Sequence, residues 1–115
     1  MLPILRRGLT LILLCFPLLL PAGEPVFTLD ADVWTRPRDA GSLVAEPALR
    51  SLLSRYESRG GGQVILRHPP GEQGRLWAAE LQDWLVALGI PSADIIRIAG
   101  EGLTGRMELS LQPLP

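Results

Sequence analysis

The residues best suited to chemistry crowd into one short stretch, RHPPGEQG, running from Arg67 to Gly74. It carries His68, the only histidine in the chain, between two prolines, two glycines and flanking arginines. A histidine can act as a general base or as a metal ligand. Either role needs a partner. No second histidine exists, and Cys15 is the only cysteine, so a shared metal site is not expected. Packing or capping a strand end is the commoner fate of a lone histidine, because catalysis requires a second group in reach. Arg67 and Arg75 flank the loop and could hold an anion, helped by the N–H groups that open the following helix. Exposed arginines that only meet solvent are the ordinary alternative.

Three further groups merit the same weighing. Asp30 and Asp32 are one residue apart, on the same strand face, and paired carboxylates can serve as acid and base. On a strand flank they more often keep an edge soluble. Trp77 and Trp84 lie seven apart, on one helical face, which is usually core. An exposed tryptophan would instead anchor an interface, and Trp34 could join it. Ser42, Ser51, Ser54 and Ser58 lack the G-x-S-x-G setting of an activated nucleophile. The glycines of RGGGQ follow a helix, the wrong context for a phosphate loop or a dinucleotide fingerprint. No cofactor is expected.

The elements that must position these residues read from periodicity. Phe27, Leu29 and Ala31 alternate with polar residues as a first strand, followed by TRPRDAGS as a loop. In EPALRSLLSRYESRGGG, residues Leu49, Leu52, Leu53 and Tyr56 form one apolar helical stripe. Pro47 suits the first helical turn, Glu46 suits the positive end of the dipole, and the glycines stop the helix. QVILR reads as a strand buried on both faces, hence central. Trp77, Leu81, Trp84, Leu85 and Leu88 mark a second helix, ended by Gly89 and Pro91. DIIRIAG is a third strand and EGLTG a turn. RMELSLQ alternates cleanly, as a half-exposed strand near an edge would. The expected fold is α+β: a small two-layer sandwich of order β-α-β-α-β-β, with two helices on one face of a mixed sheet.

The beginning of the chain sets the compartment. Residues 1–23 have Arg6 and Arg7, an apolar run from Leu9 to Leu20, then Ala22 and Gly23, the layout of a cleavable signal peptide. The run is interrupted by Pro17 and falls short of the roughly 20 apolar residues that span a bilayer, so a retained anchor is the lesser alternative. Cys15 follows Leu13 and Leu14 where a lipoprotein needs small residues. Residues 24–115 then form one domain without cysteine or disulfide, and packing must carry its stability. Every basic residue is arginine. Two of the 11 precede the cleavage site, leaving 9 against 12 acids, a net −3. That balance argues against nucleic acid as a partner.

The domain as a whole resembles the OmpA-like module, which holds peptidoglycan in many bacterial envelope proteins. VFTLDADVWTRPRDAGSLVAEPALRSLLSRY is similar to the family's opening strand, loop and Leu-x-x-Leu helix. QVILRH is similar to the strand that typically ends in Gly-His-Thr-Asp. In WAAELQDWLVALGIPSADI, residues Ala78, Leu81, Trp84, Leu85, Gly89 and Ile90 follow the family's Arg-Ala-x-x-Val-x-x-Tyr-Leu-x-x-x-Gly-Ile rhythm. RMELSL resembles the closing strand. The resemblance implies a periplasmic cell-wall module, in which an aspartate after the histidine and an arginine on the second helix grip diaminopimelate. His68 fits the histidine column. Pro70 stands in the aspartate column and Trp77 in the arginine column, and the intervening loop is shorter.

What the resemblance implies is therefore a kept scaffold without its ionic clamp. The expected function is non-enzymatic: a periplasmic accessory domain that docks onto an envelope or secretion-machinery protein, through a sheet edge or an altered groove of Arg67, His68, Arg75 and Trp77. The alternative is peptidoglycan binding by displaced residues, His68 and Arg75. A small hydrolase using His68 is a third possibility, with no visible catalytic partner.

Overall fold

The computed structural model describes residues 25–36 and 38–113. The expected signal peptide, residues 1–23, and Cys15 with it, lie outside the described residues. Nine elements follow in order: β1 (Phe27–Asp30), α1 (Ala31–Trp34), α2 (Ala40–Ala45), α3 (Pro47–Ser58), β2 (Gln63–His68), α4 (Glu72–Ala87), a 3-10 turn (Ser92–Asp94), β3 (Ile95–Ala99) and β4 (Arg106–Gln112). The main frame is the β-α-β-α-β-β order that periodicity indicates, an α+β domain with helices packed against a four-stranded mixed sheet.

The sheet order is β1-β4-β2-β3. β4 runs antiparallel to both β1 and β2, while β2 and β3 are parallel. Alternation then sorts every strand residue onto a face. Leu29, Val64, Leu66, Met107, Leu109 and Leu111 point toward the helices and are buried. They meet Leu49 and Leu52 of α3 and Ala78, Leu81 and Leu85 of α4 in one core. The opposite face has no layer over it among the described residues.

Both long helices end for the same reason. Ile90 N–H bonds to Leu85 O and Gly89 N–H to Val86 O; Gly61 N–H bonds to Tyr56 O and Gly60 N–H to Glu57 O. These are paired Schellman closures, and they require a left-handed residue, supplied by Gly89 at φ +114° and Gly60 at φ +71°. Tyr56 then fastens α3 to the 3-10 turn, donating its hydroxyl to Asp94 Oδ2 at 2.6 Å.

Several expectations need correction. β1 stops at Asp30, and Asp32 sits in α1, so the two carboxylates do not share a strand face. The local cause is pairing: β4 begins at Arg106, opposite Asp30, and Ala31 N–H instead bonds Gly105 O. The stretch read as loop gives way to α2 at Ala40, started by a capping box in which the side-chain oxygens of Asp39 and Ser42 each accept the other's backbone N–H. β4 lies one strand in from the β1 edge. It is an inner strand, and its clean alternation records one face packed and one face open. Among the described residues, no helix is long and apolar enough to cross a membrane.

Candidate functional site

The four residues expected to form one groove do not converge. Arg67 and His68 are consecutive in β2 and therefore project to opposite faces. His68 turns to the helix side and is 6% exposed, whereas Arg67 is exposed on the open face, opposite Glu108 in register. Trp77 is half-buried and packs against the core. Trp34, the other anchor considered, is 1% exposed and belongs to the core outright. Arg38 covers its ring at 4.3 Å, and also bonds Trp34 O and Glu80.

Two of the four residues do meet. His68 and Arg75 line a pocket of about 240 Å³ together with Ala78 and Arg97. The pocket exists because α4 starts almost on top of the end of β2. Gly74 makes this possible: a Cβ there would sit 1.8 Å from Pro69 O, inside the backbone. Glycine removes that obstacle and lets the first turn of α4 close over the HPP segment. The same carbonyl lies 2.9 Å from His68 Nδ1. A carbonyl can only accept, so Nδ1 is the donor in this contact.

The pocket's lining has two guanidinium groups and no carboxylate. Among the described residues, neither Arg75 nor Arg97 has a side-chain hydrogen bond or ion pair. Fixed positive charge without an internal counter-ion favours an anionic oxygen ligand, because a guanidinium presents paired donors to a carboxylate or phosphate. Among the described residues, no group of three His, Cys, Asp or Glu side chains is placed to hold a metal.

Arg97 was not among the residues that sequence spacing singled out. Its signal was present but faint. In DIIRIAG the arginine alternates with Ile96 and Ile98, so it must face away from both. The structure decides that it faces the helices, through its register with Leu66.

β3 is the second notable feature. It is an edge strand, so its outer row of N–H and C=O groups has no strand beside it. Only Ile95 of its five residues is buried. Ile96 and Ile98 are 36% and 44% exposed on the open face, next to Ile65 of β2. Three isoleucines thus make an apolar strip along a free sheet edge, and the His68–Arg75–Arg97 pocket lies on the other side of the same strand. Fold and site together define a small α+β domain whose β3 sheet edge carries exposed isoleucines. No protein-family model, no curated protein and no solved structure matches this chain.

Proposed function

We propose that this chain is an exported, periplasmic accessory domain, an OmpA-like module that has lost the diaminopimelate clamp. It acts without catalysis, and docks onto a protein of a bacterial envelope, secretion or pilus assembly by accepting an extended segment beside β3. The single observation that carries this reading is the β3 edge, where unpaired backbone groups coincide with exposed Ile96 and Ile98. Strand addition uses such an edge: main-chain bonds supply affinity and alternate side chains supply specificity. The OmpA-like relationship is supported by the resemblance and by His68 standing at the end of a central strand. The absence of catalysis is supported by His68 Nδ1, which meets a backbone carbonyl rather than an orienting carboxylate.

A photo-reactive residue placed at Ile98 and expressed in the native host tests the docking. The expected result is a discrete adduct with an envelope protein, lost in an Ile96→Lys background, while the same probe at Thr28 gives none. Equal labelling from both positions contradicts it.

One observation favours a second reading, peptidoglycan binding by displaced residues: His68 and Arg75 line the same pocket. Co-sedimentation with purified sacculi, abolished by Arg75→Ala, would establish that reading in place of the first.

A further inference from the structure

We infer that the segment accepted by β3 carries an acidic residue flanked by two apolar ones, with its carboxylate seated between Arg97 and Arg75. This rests on the strand-addition reading and specifies the partner's chemistry. The argument is one of register. In a sheet, residues directly opposite each other on neighbouring strands point to the same face. Whatever lies opposite Ile96 and Ile98 is therefore directed to the open face, onto the isoleucine strip. Whatever lies opposite Arg97 is directed to the helix side, toward the pocket that Arg97 shares with Arg75 and His68. Arg97 and Arg75 are both exposed and have no side-chain counter-ion among the described residues. A carboxylate there gains two charge-assisted contacts and the attraction of opposite charges; a neutral amide can accept a hydrogen bond but gains no charge pairing, and a lysine is repelled.

The same register argues against a second copy of this chain as occupant. Antiparallel self-pairing along all five residues of β3 would set Arg97 opposite Arg97. Like charges directly opposite destabilise a strand pair.

The experiment uses a pair of synthetic heptapeptides, Ser-Thr-Val-Glu-Val-Thr-Ser and its Glu→Gln counterpart, both acetylated and amidated. Binding to the domain is followed by backbone amide shifts. The Glu peptide should shift β3 and the start of α4, and bind about tenfold more tightly than the Gln peptide. Arg75→Gln combined with Arg97→Gln should erase that difference, while the Gln peptide still shifts β3. Equal affinity of the two peptides for the unaltered domain overturns the acidic preference and leaves strand addition standing. Failure of both peptides to shift β3 at millimolar concentration overturns both readings. So does a soluble muropeptide that shifts His68 and Arg97 without touching Ile96 or Ile98, which would favour the cell wall instead.

Discussion

The two edges of the sheet are built to opposite rules. β1 is four residues long, buries Leu29 completely, and runs straight into α1. Its open face is charged and internally paired: Asp30 stands opposite Arg106, whose Nε lies 3.5 Å from Glu108 Oε2. A short strand ending in a helix, with charges on its flank, is how proteins discourage unwanted pairing. β3 continues for five residues and its only charge, Arg97, faces the helix side. Its own open face is Ile96 and Ile98, with Arg67 of β2 beside Ile98. Within one small sheet, protection on one side makes exposure on the other informative. On the docking proposed above, the less protected edge is the one kept for a partner.

The comparison can be broken or sharpened by substitution. The largest effect is expected at Gly74, which holds α4 against the end of β2 and so creates the pocket beside β3. A Cβ there cannot avoid Pro69 O, so Gly74→Ala should cost about 3 kcal/mol in urea unfolding, at the upper end for overpacking. The edges themselves should diverge next. Leu29→Ala on β1 should lose about 3 kcal/mol, as a buried leucine does. Ile98→Thr on β3 should change stability by less than about 0.5 kcal/mol, the range of surface substitutions, while weakening the docking of an added strand. Comparable losses at both positions would mean that the edges are equally structural.

The last substitution acts just before β3, where Tyr56 meets the 3-10 turn, and serves as a control for the Ile96–Ile98 strip. The Asp94 carboxylate holds the Tyr56 phenol above its ordinary value, chiefly by accepting its hydrogen bond, with burial and the negative charge adding to it. The folded state therefore favours the neutral phenol. That contribution is complete below the ordinary phenol range and is lost as the pH rises through the raised value. Tyr56→Phe should remove this alkaline loss and cost about 1 kcal/mol at neutral pH, the scale of one hydrogen bond, with no change at β3. pH-dependent chemical unfolding measures both.

How much of this was legible beforehand depended on distance along the chain. The α3 and α4 stripes needed only neighbours three and four residues apart, and their glycine stops only the next residue. The capping box of α2 was equally local, yet the Asp39–Ser42 signature was obscured by the proline and glycine around it. Trp34 shows the harder case. Its position after an exposed strand suggested a surface anchor, but α1 turns it inward beneath Arg38. Half of the expected groove survived, His68 and Arg75, because both flank the one tight turn. Arg67 was separated from them by the two-residue period of its own strand.

Hydrophobic periodicity and helix stops act over a few residues, and they were enough to mark the two long helices, the four strands and the β-α-β-α-β-β order. Only the tertiary structure decided that β4 inserts between β1 and β2, which leaves β3 at the edge and brings Arg97 to Arg75. Strand order is a property of long-range backbone pairing, and residues far apart in the chain leave no periodic trace of the neighbour they will choose.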